Sequence, residues 1–307
     1  MRVAEPTVTV VIPTRGTAAR AAHLLRAIET VRTQRGVQAV ALVVLNGAQR
    51  APEVERALRS VPGVRVLVRE DADLPSAHRL GREAVDTPWF GTLDDDDLLL
   101  SDALARRIRA LSERPAADVV VTNGIIRADG CDTRHIARDL DVAADPLRAL
   151  TRRNWLLPGS WLARSERVGA SLFDGMPRYL ECTFLALRFS TAYAMHWLPE
   201  PTVIYNWGSP DAESRSRTYV LEQPPSVEAL LRLPLPPWMC VHLERELAGA
   251  HHCSAELLWS EGDLNGAWRM HRRSLRGRGG LRFLPFTRHL FATAWQRALV
   301  LARRSVA

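Results

Sequence analysis

Four aspartates interrupt an apolar run in the stretch Trp89-Phe-Gly-Thr-Leu-Asp94-Asp95-Asp96-Asp97-Leu-Leu-Leu100. Adjacent carboxylates repel one another by about 1 kcal/mol per close pair even in water, and by more when partly buried. A cation relieves this repulsion, and hard divalent ions such as Mg²⁺ and Mn²⁺ take carboxylate oxygens together with phosphates. The stretch therefore predicts a metal-bridged phosphate site at the end of a strand. A solvated acidic turn that caps the next helix is the alternative on these residues alone.

The chain around these aspartates alternates between strand and helix patterns. Continuous β-branched or apolar runs predict strands at 7–13, 39–45, 64–68, 89–93 and 118–122. Amphipathic segments between the strands predict helices at 18–35, 51–60, 74–84 and 101–112. Short links join these elements. Their order predicts an α/β fold, a three-layer sandwich with a mostly parallel central sheet.

Polar residues follow three of the predicted strands at the point where each strand ends. Thr14 and Arg15 follow the first strand, Asn46 follows the second, and the four aspartates follow the fourth. In a parallel sheet, ligands bind beyond the carboxyl ends of the strands. The shared position of these residues favours the metal–phosphate prediction over the solvated turn.

The pattern becomes looser after residue 122. Strands are predicted at 159–163, 194–199 and 202–207, and a helix is predicted at 181–188. A proline-rich segment at 233–237 precedes helices predicted at 238–261, at 263–274 and from about 285. We therefore predict a first domain over 1–225 and a helical, arginine-rich extension over 226–307.

The positive charge of the chain is concentrated near its C-terminus. The net charge is +7, every basic Lys or Arg position is arginine, and the residues from Leu264 onward hold ten arginines and no acid. The preceding part has 31 arginines against 34 acids, so we predict no nucleic-acid partner. Arginine mixed with Phe, Trp and Leu is typical of an interfacial helix on anionic lipid. The alternative is a helix that packs on the first domain with a solvated arginine face.

Three further features predict the compartment. The four cysteines lack metal-ligand or redox spacing, which indicates reduced thiols in a cytoplasmic protein. No signal-peptide pattern precedes the first strand. No stretch of about 18 apolar residues is present, so no spanning helix is predicted.

The run Val-Val-Ile-Pro-Thr-Arg, the strand ending in Asn-Gly and the run Leu-Asp-Asp-Asp-Asp occur in this order within residues 7–207. Together they resemble family 2 glycosyltransferases with the Rossmann-like GT-A fold. The resemblance implies inverting transfer of a sugar from a nucleotide-diphosphate donor to an acceptor hydroxyl, assisted by Mn²⁺ or Mg²⁺. It places the nucleotide-sugar half at about 1–125 and the acceptor half at about 126–225. A saccharide or a lipid-linked molecule is the implied acceptor, and a lipid-linked acceptor would suit peripheral membrane contact.

The resemblance also implies site residues. Donor contacts are expected from Pro13, Thr14, Arg15, Asn46, His78 and Arg79. Asp94 and Asp96 form the Asp-x-Asp pattern, with Asp96 as the principal metal ligand. Asp94, also a candidate ligand, and Asp95 are expected to meet the ribose or the waters of the ion.

The general base implied by the resemblance is Glu181, at the start of a helix where the family usually has a Glu-Asp pair. Cys182 replaces the second acid, and Glu181 lies about 100° away from that position around the helix. Glu181 as a simple helix N-terminal acid is one alternative. Asp174 is the reserve base, and Arg215 or Arg217 is the candidate to close over the diphosphate.

Two other functions stay open on the sequence. The loss of the acid at Cys182 motivates a catalytically silent nucleotide-sugar-binding or scaffold protein at a membrane surface. A nucleotidyltransferase also uses a metal-bound diphosphate on such a sheet. No glycine-rich phosphate loop supports this third hypothesis.

Overall fold

A computed structural model of the chain describes residues 7–137, 140–208 and 216–304, with side chains described as far as residue 295. The chain forms two compact units, Met1–Ser209 and Pro210–Ala307. The predicted domain boundary at 225/226 falls inside a helix, Arg217–Leu230, which belongs to the second unit.

The first unit alternates strands and helices, and every element predicted before residue 122 is present. Its strands are β1 (Thr7–Thr14), β2 (Gln38–Asn46), β3 (Val64–Arg69), β4 (Trp89–Thr92), β5 (Leu98–Leu99), β6 (Val119–Ala128), β7 (Cys131–Arg134), β8 (Trp161–Arg164) and β9 (Met195–Asn206). Its helices are α1 (Ala21–Arg32), α2 (Pro52–Ser60), α3 (Leu74–Glu83), α4 (Ala103–Ser112), α5 (Pro146–Arg152) and α6 (Glu181–Ala192). The short elements β5, β7 and α5 are too brief to produce a periodic pattern.

One nine-stranded sheet organises the first unit, in the order β3-β2-β1-β4-β8-β6-β9-β5 with β7 beside β6. The pairs β1–β2, β2–β3 and β1–β4 are parallel, as predicted. Strand β8 runs antiparallel to both β4 and β6, so the sheet as a whole is mixed. The carboxyl ends of β1, β2 and β4 share one edge, which is where the polar residues follow them.

Helices cover both faces of the sheet, and the side chains of β1 point alternately to these two faces. Val10 and Ile12 belong to the larger core, together with residues of α1, α2 and α4, whereas Val11 packs in a separate cluster with Ala77 of α3. A Cβ atom added at Gly81 would lie 2.3 Å from Val11 Cγ1, so only glycine lets α3 approach the sheet this closely. These layers form the predicted three-layer sandwich.

Strand β9 corrects one prediction. The sequence predicts two strands that meet at Glu200-Pro201, but Met195–Asn206 is a single strand parallel to β6. Its register with β6 shifts where Thr122 pairs with Leu198 and Asn123 with Pro201. Proline has no N–H to donate, and the shift is the irregularity that lets the strand continue past it.

A buried arginine joins the second half of the sheet. Arg107 of α4 is buried, and its guanidinium donates to Thr202 Oγ1 of β9, to the Trp161 carbonyl of β8 at 3.1 Å and to the Gly159 carbonyl at 2.6 Å. Burial lowers its pKa to about 9. Arg107 thereby fixes β8 and β9 to the helix that follows the acidic stretch.

We expect Arg107→Met to lower the free energy of unfolding by about 2–4 kcal/mol, because Gly159 and Thr202 lose buried donors that water cannot replace. Urea-induced unfolding measures this loss. The control is Arg106→Met, whose exposed guanidinium pairs with Asp102 at 2.8 Å, and whose effect should stay near 0.5 kcal/mol. Equal effects of the two variants would contradict the role given to Arg107.

The second unit is helical. Its helices are α7 (Arg217–Leu230), α8 (Pro237–Ser260), α9 (Leu264–Arg276) and α10 (Thr287–Arg304), with a 3-10 segment, Gly280–Phe286, before α10. Its core includes Leu258, Ala267, Phe286 and Leu290. The helices predicted at 238–261 and 263–274 are confirmed. Within the part of the chain that the structure describes, no helix has the length and hydrophobicity needed to cross a membrane.

Candidate active site

The four aspartates form a turn at the end of β4. The Asp97 N–H donates to the Asp94 carbonyl at 3.2 Å, which folds the backbone back on itself. Helix α4 begins only at Ala103, with Asp102 at its N-cap position. The turn therefore ends before the helix begins, and the solvated capping turn is not the arrangement found here.

Asp95 has partners of its own elsewhere in the first unit. Its buried carboxylate accepts hydrogen bonds from the Thr14 hydroxyl at the end of β1 and from the Arg20 guanidinium. Arg20 Nη2 also lies 3.0 Å from Asp96 Oδ2. Both carboxylate oxygens of Asp95 are thus used within the protein, which ties the acidic turn to β1 and to the segment before α1.

The other three carboxylates converge. One oxygen from each of Asp94, Asp96 and Asp97 lies within 4.8 Å of the others. Asp97 is 0% exposed; its Oδ1 accepts from the Asn206 N–H at 2.9 Å, and its Oδ2 is buried without a hydrogen-bond partner. Burial and the neighbouring carboxylates raise the pKa of Asp94 and of Asp97 well above the usual range. Three clustered carboxylates, one of which has a buried oxygen without a partner, fit a hard divalent cation.

The end of β9 holds this turn in place. The Asn206 side-chain amide donates to the Asp96 carbonyl, and its backbone N–H donates to Asp97. Tyr205, the preceding residue, lies in the field of the same carboxylates, since burial and Asp94 are the main causes that raise the pKa of its phenol. Neither residue could be predicted as part of the site, because only the pairing of β9 brings them to the acidic turn.

Glu181 is the first residue of α6 and belongs to the same cluster of charges. Burial and the charge of Asp96 are the largest causes that raise the pKa of Asp94, and the charge of Glu181 is the next. The preceding Leu180 has a left-handed backbone with φ 64°, an uncommon conformation for a branched apolar residue, and it sets the start of the helix. The Cys182 thiol beside it has a pKa raised by burial and by Glu181, so it is a poor proton acceptor. The predicted base therefore lies beside the acidic turn.

The family model of glycosyl transferase family 2 matches residues 9–161, which include β1, β2, β4 and the acidic turn. The chain belongs to glycosyltransferase family 2. It is therefore an enzyme that transfers sugars, and inversion at the anomeric carbon is a property of the family. Among curated proteins, none matches this glycosyltransferase in sequence.

Solved structures share the fold of this chain. TarS of S. aureus, residues 1–349 in complex with UDP-GlcNAc, has a TM-score of 0.59 and 11% identity, with 87% of this chain and 81% of that chain covered. The same TarS fragment in complex with UDP has a TM-score of 0.54 and 12% identity, with 80% and 71% covered. At this identity the likeness concerns the fold, and the fold of this glycosyltransferase is GT-A.

The predicted donor residues at the strand ends occupy different environments. Pro13 and Thr14 are buried, and Arg15 beside them is exposed. The Thr14 hydroxyl also accepts from the Gly16 N–H at 3.0 Å, which closes the first loop. Asn46 is nearly buried, and its Oδ1 accepts from the Asp73 N–H at 3.0 Å. The contact of Asn46 with the nucleotide of the donor stays a prediction.

The two expected donor contacts on α3, His78 and Arg79, differ in their exposure to solvent. His78 is only 4% exposed, its ring stacks on Phe173 with 5.3 Å between centroids, and burial lowers its pKa to about 4. Such a neutral, covered ring does not support the predicted phosphate contact. Arg79 is exposed but binds Glu83 at 3.0 Å and Asp174 at 2.6 Å. Its diphosphate contact stays a prediction that requires these ion pairs to open.

The secondary candidates pair with other charged residues or lie outside the described part of the chain. Asp174 is exposed, pairs with Arg79 and precedes Gly175, which has φ 77°, as expected of a turn residue. Arg217 is the first residue of α7 and binds Glu261 at 2.7 Å. Arg215 lies outside the described residues. The Asp-x-Asp turn and Glu181 are thus the predicted groups that the structure brings together.

Proposed function

We propose that this glycosyltransferase is metal-dependent and transfers a sugar from a nucleotide-diphosphate donor to an acceptor hydroxyl. The observation that carries the proposal is the convergence of Asp94, Asp96 and Asp97 within 4.8 Å at the end of β4, with Glu181 beside them. A buried carboxylate oxygen without a partner is destabilising unless a cation binds it or the carboxyl group takes up a proton. A divalent cation would neutralise the clustered carboxylates together, which favours the metal site.

Asp94, Asp96 and Asp97 are the residues that would hold the ion. A bound Mn²⁺ or Mg²⁺ supplies electrostatic stabilisation of the charge that develops on the leaving diphosphate. Asp97 extends the ligand set predicted from the Asp-x-Asp pattern, since its carboxylate belongs to the cluster and its Oδ2 is buried without a partner. Asp95 has the different task of fixing the turn through Thr14 and Arg20.

Glu181 is proposed to accept the proton of the acceptor hydroxyl as that oxygen attacks the anomeric carbon from the face opposite the diphosphate. A carboxylate is suited to this because the proton leaving the acceptor oxygen forms an O–H bond with the carboxylate, while no bond forms between the carboxylate and the sugar. Cys182, with its raised pKa, keeps its proton. Arg20 balances part of the negative charge at Asp95 and Asp96, which leaves the cluster of three carboxylates for the cation.

A UDP-sugar is the donor to test first. This choice rests on the TarS structures, which were solved with UDP-GlcNAc and with UDP on the same fold. We further propose a saccharide or lipid-linked acceptor, with peripheral membrane contact through the C-terminal tail at the cytoplasmic face. The arginine-rich composition of the tail supports the membrane part of this proposal.

The decisive experiment measures Mn²⁺ binding by electron paramagnetic resonance, with and without a panel of nucleotide sugars that starts with UDP-GlcNAc. We expect one tightly bound ion in the wild type. We expect Asp97→Asn to raise the Kd for Mn²⁺ at least tenfold. The amide can keep the hydrogen bond from the Asn206 N–H, but it removes the charge of one ligand. A donor that binds should also raise the melting temperature in the presence of Mn²⁺.

Asp102→Asn is the matched control, because Asp102 lies on the same segment and pairs with the exposed Arg106 outside the cluster. It should bind Mn²⁺ like the wild type. Donor turnover in a metal-free buffer with chelator, at the wild-type rate, would overturn the metal dependence proposed here.

A further inference from the structure

The second unit has a groove between α9 and α10, which we call the arginine groove. Its volume is about 690 Å³, and the side chains that decide its chemistry are Trp268, Arg269, Arg272, Arg273, Arg276 and Phe291. The four arginines follow the spacing i, i+3, i+4 and i+7, so they form one stripe along α9. Trp268 and Phe291 meet edge to face at 4.9 Å and supply aromatic surface.

The stripe carries uncompensated positive charge. Residues 264–295 contain seven arginines and no Asp or Glu. Within the described residues, none of the four groove arginines takes part in a salt bridge, whereas the nearby Arg278 binds Glu244 at 2.9 Å. Like charges at i, i+3 and i+4 repel on a helix. An external anion that the four guanidinium groups share would remove this repulsion.

Exposed apolar side chains surround the same region. Leu281, Leu284, Phe291 and Trp295 are each between 53% and 75% exposed, and they account for four of the seven large apolar side chains that are exposed in the described chain. All four lie in the 3-10 segment before α10 or in α10 itself. A soluble anion would leave these side chains in water, but the headgroup region of a bilayer would accept both the arginines and the apolar groups.

We propose that the arginine groove binds phosphate headgroups of an anionic lipid bilayer, while Leu281, Leu284, Phe291 and Trp295 enter the interfacial region. Guanidinium groups bind phosphate oxygens in pairs, and aromatic side chains favour the level of the headgroups. The proposal rests on the membrane contact named under the proposed function and assigns it to a site. It does not require the metal-dependent reaction.

The test is sedimentation of the full chain with vesicles of phosphatidylcholine alone or with phosphatidylglycerol added. Wild type should bind the anionic vesicles only. The double variant R269Q/R273Q should bind at least tenfold more weakly, since each arginine near an anionic surface contributes about a fivefold effect. The double variant R35Q/R56Q is the charge-matched control, because both of its arginines are exposed in the first unit. It should bind like the wild type.

A third variant, F291A/W295A, separates a bilayer from soluble phosphate. It should lose vesicle binding, whereas inorganic phosphate at millimolar concentration should fail to displace the wild type. Equal losses in R269Q/R273Q and R35Q/R56Q would overturn the proposal in favour of nonspecific attraction. Displacement by inorganic phosphate, or binding by F291A/W295A at the wild-type level, would overturn it in favour of a soluble anion. Donor hydrolysis measured without vesicles reports on the catalytic unit separately and should be unchanged in all of these variants.

Discussion

The Asp96→Ala variant is expected to lose about 10³-fold in kcat/KM for the best donor, the size of effect seen when one group that stabilises developing charge is removed. Asp96 supplies an oxygen to the carboxylate cluster and lies 3.0 Å from Arg20, yet its own side chain is partly exposed. Loss of this oxygen should weaken the binding of both Mn²⁺ and the donor diphosphate. We therefore expect KM for the donor to rise and kcat to fall. Steady-state kinetics at several Mn²⁺ concentrations separates the effect on KM from the effect on kcat.

Asp102→Ala provides the comparison for this experiment. Asp102 is another aspartate of the same segment, but it precedes α4 and pairs only with the exposed Arg106. Its removal should change kcat/KM by less than threefold. If Asp96→Ala retained Mn²⁺-dependent donor binding and turnover, the assignment of the metal site to this turn would be wrong.

The Glu181→Gln variant is expected to lose about 10²–10⁴-fold in kcat, the usual contribution of a general base, while the Kd for the donor changes little. The glutamine has nearly the same shape but cannot accept the proton. Steady-state kinetics measures the loss in kcat, and titration with the donor measures its Kd.

Asp174→Asn is the matched comparison, since Asp174 is the reserve candidate and an exposed carboxylate that pairs with Arg79. It should keep nearly full activity. The reverse outcome, an active Glu181→Gln enzyme and an inactive Asp174→Asn enzyme, would transfer the role of base to Asp174. Full activity in both variants would show that neither side chain is the base.

Much of the fold could be predicted because its signals are local. The strand Thr7–Thr14 is a continuous buried β-branched run, and α1 and α3 each show an apolar face at helical spacing. Such patterns depend on burial of one element against a sheet and do not require its partners to be known. The same local signals placed Thr14, Asn46 and the aspartates at strand ends.

Some features could not be predicted because they depend on distant partners. The single strand β9 exists through its pairing with β6, although a proline lies within it. His78 is an expected donor contact, but the tertiary structure buries it against Phe173. Arg107 lies on a helix whose sequence gives no sign that its guanidinium reaches two strands and a turn.

The acidic turn shows where the two kinds of information divide. The sequence by itself determined that four carboxylates follow a buried strand, beside Thr14, in the order typical of family 2 glycosyltransferases. Only the tertiary structure decided which of them converge: Asp95 turns to Thr14 and Arg20, while Asp97 joins Asp94 and Asp96. The physical reason is that the orientation of each carboxylate is set by hydrogen bonds across the fold, and Asn206 binds Asp97 from 109 positions further along the chain.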